Sequence, residues 1–239
     1  MRPIARVIRF TILAGALTTI GCVMPGAQAN SSGSAAMKEC GPEGLIDDFE
    51  DNNNQNTVTD GRGGYWYTFV DKAGSTVWPE AGEAGGTFTP SEGGYNSKYA
   101  AMFKGKIGTA AIVFGAVGMN YIDPKGQYDA SKYLGITFWA KRGAGSTGKV
   151  RLKVPDGTTD PEGGVCSECF NDFGSDLNLS EQWQRYVIPF HDMKQMEGWG
   201  APRKAHIDPS KDYGLQWQVN VPGSEYEIWI DNVAFICKG

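Results

Sequence analysis

The residues of this chain best equipped for chemistry sit on the outward faces of alternating segments. Trp139 follows Phe138 in a run where Leu134, Ile136, Phe138 and Ala140 share one face and Thr137, Trp139 and Lys141 the other. Arg151 and Lys153 alternate with Val150, Leu152 and Val154, while Gln216, Gln218 and Asn220 alternate with Leu215, Trp217 and Val219. One flat ring, two cations and three amides suit a sugar: an aromatic face covers the apolar side of a pyranose, and the polar groups bond its hydroxyls. Asp172, in the long loop from Pro155 to Asp172, adds a carboxylate acceptor. If the strands carrying these residues share one sheet, they make a polar face with one large ring. A loop lying over Trp139 would instead make that ring part of the core. Tyr65, Trp66, Tyr67, Trp78, Tyr95 and Trp199 are further aromatic candidates, most of which read as packing residues.

A second group is acidic. Asp47, Asp48, Glu50 and Asp51 cluster near the start of the chain, and Asp231 precedes Asn232 near its end. If first and last strands are neighbours, Asp48, Glu50 and Asp231 could offer calcium the hard oxygen ligands it prefers. The competing reading is a charged sheet edge that discourages aggregation. A glycosidase pair is disfavoured, because these acids fall at a sheet edge rather than in a cleft.

What the sequence lacks excludes several classes. His191 and His206 are its two histidines, so a zinc-binding H-E-x-x-H motif is impossible. There is no P-loop, no dinucleotide fingerprint, no nucleophile elbow and no EF-hand loop. A net charge of −5 argues against a nucleic-acid partner, which needs a basic face.

These side chains must be positioned by strands. Helical periodicity is nearly absent after residue 40; short alternating runs recur between Gly, Pro, Asn and Asp. About ten strands in 239 residues predict an all-β, two-sheet antiparallel β-sandwich of the jelly-roll type. Strands are expected at 45–50, 64–69, 98–104, 110–121, 133–142, 149–154, 183–190, 213–220 and 225–236.

The first 29 residues read as an address. Arg2, Arg6 and Arg9 precede an apolar run, and Ala27-Gln28-Ala29 supplies a cleavage site. The run is short for a membrane span. A rival boundary at Gly21-Cys22 would put lipid on Cys22. Either reading exports the chain to the cell envelope or the extracellular space, and 30–39 follow as a flexible tether before the domain at 40–239. In an oxidising compartment Cys40, Cys166, Cys169 and Cys237 invite disulfides in one of three connectivities. Cys40–Cys237 would fasten the two chain ends, which leaves Cys166–Cys169 to close a loop. A redox or zinc role for Cys-x-x-Cys lacks its βαβ context or its further ligands.

In order along the chain stand Leu45-Ile46-Asp47-Asp48-Phe49-Glu50, then Tyr128 to Lys141, then Trp183 with Ile188-Pro189-Phe190, then Ile230-Asp231-Asn232-Val233. This series resembles the family 11 carbohydrate-binding modules with their galactose-binding-like fold, and the related complex I intermediate-associated protein 30 domain. The resemblance implies non-catalytic binding of a polysaccharide, a β-glucan above all, and structural calcium. It carries a hydrogen-bonding role onto Gln216. The family's aromatic two or three residues later does not carry over, since Val219 stands there. The Cys166–Cys169 loop and the Trp199 stretch lie outside the family pattern. The alternatives are a small glycoside hydrolase or lyase on the same fold, and a structural envelope protein.

Overall fold

The structure is a computed structural model and describes residues 37–239. The expected leader, the lipid site at Cys22 and most of the tether lie outside the described residues. Twelve strands follow one another: β1 (Met37–Glu39), β2 (Leu45–Asp47), β3 (Trp66–Val70), β4 (Ser91–Glu92), β5 (Tyr99–Lys106), β6 (Gly115–Asn120), β7 (Gly135–Arg142), β8 (Lys149–Val154), β9 (Phe173–Asn178), β10 (Gln184–Pro189), β11 (Gly214–Val219) and β12 (Glu225–Lys238). They form two antiparallel sheets. The seven-stranded sheet runs β10-β7-β12-β5-β4, with β1 and β2 also paired to β12, and the five-stranded sheet runs β3-β6-β11-β8-β9. The expected β-sandwich is what forms.

Period-two alternation decides the core. Ile136, Phe138 and Ala140 of β7 and Ile228 and Ile230 of β12 point inward from one sheet; Val150 and Leu152 of β8 and Leu215, Trp217 and Val219 of β11 point inward from the other. The layers meet where Phe138 stands edge-on to Trp217, with ring centroids 5.3 Å apart, and Trp217 stacks on Trp66 at 5.8 Å. A bulge on β12 between Asp231 and Ala234 shifts the alternation, so that Val233 and Phe235 are buried beyond it.

Two expectations need correction here. Met37–Glu39, read as the end of a tether, are a strand, with Lys38 opposite Cys237 and Glu39 opposite Ile236. The first domain strand stops at Asp47, because Phe49 enters the left-handed region at φ 62° and turns the chain. Both disulfides form, Cys40–Cys237 and Cys166–Cys169. Among the described residues no helix is long and apolar enough to cross a membrane.

Candidate functional site

The outer face of the five-stranded sheet is a trough, and its shape follows from residue sizes along β6. Cross-strand register places Tyr67, Gly118, Gln216, Lys153 and Gly174 in one row, and Phe69, Ala116, Gln218, Arg151 and Asp176 in the next. In both rows the residue on β6, beside the β3 aromatics, is small, and the first row also ends on Gly174 of β9. The Tyr67 ring lies over Gly118, where a Cβ would stand 2.9 Å from the Tyr67 Cζ. From there the Tyr67 hydroxyl accepts a bond from Gln216 Nε2 at 3.4 Å. Three loops raise the rims. One carries Ile112 and Phe114; the other side is built from Phe170, Met196 and Trp199, and the cleft they enclose measures about 730 Å³.

Six of the seven residues expected to contact a sugar, Arg151, Lys153, Asp172, Gln216, Gln218 and Asn220, line this cleft. The seventh does not. Trp139 is on β7, in the opposite sheet, between Asp231 and Arg185. The one-sheet expectation fails there because β7 pairs with β10 and β12 rather than with β8 or β11. Tyr95 covers the Trp139 ring, with centroids 3.6 Å apart. Asp172 is nearly sealed, at 2 % exposure, and its Oδ2 accepts from Lys153 Nζ at 2.9 Å. Its place in the cleft is therefore to fix Lys153. Arg151 is tied likewise, to Asp176 Oδ1 at 2.9 Å and to the Lys194 carbonyl. Each cation of the floor thus has a carboxylate beside it, and the polar floor carries little net charge.

The aromatic walls were only partly anticipated. Tyr67 and Trp199 were among the aromatic candidates; Phe69, Phe114, Phe170, Ile112 and Met196 were not. Phe69 was within reach of pattern reading, being two residues from Tyr67 and so on the same face of β3. Phe114 and Phe170 belong to loops, where no periodicity points to a face.

The three acids proposed for calcium do not converge as a set. Asp48 Oδ1 caps the turn by accepting the Glu50 amide at 3.2 Å. Among the described residues no three His, Cys, Asp or Glu side chains gather as a metal-holding group. Glu50 and Asp231 remain together, gripping one segment. Glu50 Oε1 accepts the amides of Lys98 and Tyr99 at 2.9 and 2.7 Å, and Asp231 Oδ2 accepts the Tyr95 amide at 2.6 Å and the Ser97 hydroxyl at 2.8 Å. Burial pushes the Asp231 carboxyl up to about 6, against the lowering by these bonds and the Asn232 amide, and the Glu50 charge adds to the rise. Of the three acids, these two meet at the 95–99 segment, where their oxygens accept N–H and O–H donors.

No family model matches the chain, and no curated protein matches it. Solved structures do. A family 11 carbohydrate-binding module from Clostridium thermocellum, in complex with a β-1,3-1,4-mixed-linked tetrasaccharide, aligns with a TM-score of 0.56 at 16 % identity, covering 81 % of this chain and 95 % of that one. The β-sandwich fold is shared with these modules. The family 11 module of a cellulosomal cellulase of the same organism aligns at 0.54 and 16 % identity, covering 87 % of this chain and 97 % of that one. A family 30 carbohydrate-binding module aligns at 0.50 and 13 % identity, over 72 % and 92 % of the two chains.

Proposed function

We propose that this protein is an exported, non-catalytic module that binds an uncharged polysaccharide, of the β-glucan class, along the cleft of the five-stranded sheet. The observation that carries this is the row Tyr67–Gly118–Gln216–Lys153, a ring whose tip reaches over a glycine beside amide and ammonium donors. A flat ring takes the apolar face of a sugar, and the donors beside it take the hydroxyls. Charge compensation of Arg151 by Asp176 and of Lys153 by Asp172 favours a neutral chain over a uronic one, since no cation is left without a carboxylate partner. A glycosidase sets two carboxyl groups across the scissile bond. This face carries two, Asp172 held by Lys153 and Asp176 held by Arg151, so each is already engaged by a cation. Family 11 modules with the same fold, one of them seen with a β-1,3-1,4-linked tetrasaccharide, support the choice of β-glucan.

Affinity electrophoresis through gels containing mixed-linkage β-glucan, xylan, mannan or polygalacturonate tests the proposal. Retardation by a neutral polysaccharide without release of reducing ends is the expected result. Free migration in every gel, or retardation by polygalacturonate alone, would overturn it.

Calcium belongs to the same proposal, with Glu50 and Asp231 as its side-chain ligands. Chelation should lower the melting temperature at neutral pH and matter less as the pH falls towards 6. The sign follows from Asp231. Its folded carboxyl titrates near 6, above the ordinary 3.8, so without an ion the folded state binds the extra proton and stability from this group declines as pH rises between those values. A cation reverses that penalty above pH 6 and loses to protons below it. A melting temperature indifferent to chelator at pH 7.5 removes calcium from the account.

A further inference from the structure

The far rim of the cleft carries two large rings that the core does not use. Phe170 is 59 % exposed and Trp199 42 %, yet the backbones beneath them are cross-braced. Asn171, itself buried, fastens one loop to the other: its Nδ2 donates to the carbonyls of Met196 and Trp199 at 2.9 and 2.6 Å, and its Oδ1 accepts the Met196 amide at 2.8 Å. Gln195 Nε2 donates to the Asn171 carbonyl at 3.0 Å. The Gly200 amide donates to Glu168 Oε2 at 3.0 Å, and Glu168 and Ala201 exchange backbone bonds. The Cys166–Cys169 disulfide closes the first loop one residue before Phe170.

Local conformation is spent on the same end. Trp199 stands between Gly198 and Gly200, both at φ 86°, in the left-handed region that a side chain resists. A Cβ on Gly200 would meet the Asn171 Cβ at 2.6 Å. Phe170 adopts φ 73°, an unfavourable state for a bulky residue, which the structure around it holds in place. Core packing does not ask for this, because both rings face solvent. Rings carried in the open on braced backbone, at the rim of a cleft, leave less freedom to be lost on binding.

We infer that Phe170 and Trp199 form a separate stacking subsite, which takes a pyranose ring of the same polysaccharide beyond the ring that lies over Tyr67. This rests on the cleft reading above. It makes the cross-braced loops, which fall outside the pattern shared with family 11, the part of this chain that sets how long a glycan segment it grips. Asn171 is the positioning residue, since it follows Phe170 directly and ties the Met196 and Trp199 backbone to it.

The test is an oligosaccharide ladder, from disaccharide to hexasaccharide, prepared from whichever of β-glucan, xylan or mannan retards the protein, with affinities measured by calorimetry. In the native protein affinity should climb with length until the chain reaches the loops. Trp199→Ala and Phe170→Ala should each lose about tenfold on the long members and nothing on the disaccharide, the loss of one stacked ring. Gly200→Ala should reproduce the Trp199→Ala profile, because it displaces the ring without deleting it. Thermal melting of the two alanine variants should stay close to native, as both rings are exposed. If both variants keep native affinity at every length while Gln216→Ala weakens binding, the cleft stands and the subsite falls. An equal loss at all lengths also overturns the subsite, since it would place the rings with the floor. If the native protein binds none of the three glycans, the cleft reading fails and the subsite with it.

Discussion

Gly118→Val is expected to abolish polysaccharide binding while leaving the sandwich folded. The argument is one of space. A Cβ at position 118 would lie 2.9 Å from the Tyr67 Cζ and 3.1 Å from the Gln216 Cγ, so the tip of the ring and the Gln216 side chain must both shift, and the branches of valine push them further. Valine's two methyl groups would then fill the bottom of the trough. The backbone has no reason to object, because Gly118 is not among the positive-φ glycines and a β-branched residue suits a strand. The site also faces outward, away from Val117 and Met119, which are fully buried on the inner side of β6. A loss of about a hundredfold or more in affinity should accompany a melting temperature within a few degrees of native, because both the stacking ring and its hydrogen-bonding neighbour are displaced. Affinity electrophoresis and circular dichroism on the same preparation decide it. A folded Gly118→Val protein that is still retarded would mean that the sugar does not lie over Tyr67.

The same glycine shows what could and could not be read from the sequence. Alternation marked β7, β8 and β11 because a strand buried on one face must repeat every two residues. It marked the inward Leu152 and Trp217 and, with equal ease, the outward Lys153 and Gln216. Pattern alone does not say which strands become neighbours, since pairing joins residues far apart in the chain. Lys153 and Gln216 belong to strands that pair, whereas Trp139 belongs to a strand of the other sheet. Gly118 looked like any turn-forming glycine until the register set it between Tyr67 and Gln216. Asn171 had no signature either: its importance lies in three bonds to loop positions 25 to 28 residues away. The chain-end disulfide, by contrast, was legible, because cysteines opening and closing a sandwich are brought together once its terminal strands pair.

Charge in the cleft follows a related logic. Alternation puts Arg151 and Lys153 on an outward polar face, and the structure couples each to a carboxylate. Asp172 has little surface left for a ligand, and one of its oxygens is buried with no bonding partner at all. Such an arrangement holds only while Lys153 stays in place, since a buried carboxylate stripped of its cation is costly. The floor is consequently stiff, and a ligand meets donors whose positions are already set.

The two disulfides should separate when removed, one acting on stability and the other on binding. Cys40 and Cys237 are 197 residues apart in sequence, so their bridge removes a very large loop from the unfolded ensemble. Loop-closure entropy puts its worth at about 5 kcal/mol, or about 10–20 °C of melting temperature for a domain of this size. Cys40→Ser with Cys237→Ser should therefore melt far earlier. The cleft would be intact at room temperature, because β1 and the end of β12 lie in the seven-stranded sheet, away from the trough. Cys166 and Cys169 are only 3 residues apart, and closing so short a loop contributes at most about 2 kcal/mol on the same reckoning. Their bridge instead shapes the wall: Cys169 lines the cleft, and Phe170 follows it in a conformation that needs holding. Cys166→Ser with Cys169→Ser should keep most of the melting temperature and lose affinity for long oligosaccharides, as Phe170→Ala does. Native affinity in that variant would show that the bonds from Asn171 and Glu168 hold the wall without the disulfide. Native stability in the Cys40/Cys237 variant would show that the pairing of β1 with β12 already does what the covalent bridge was thought to do.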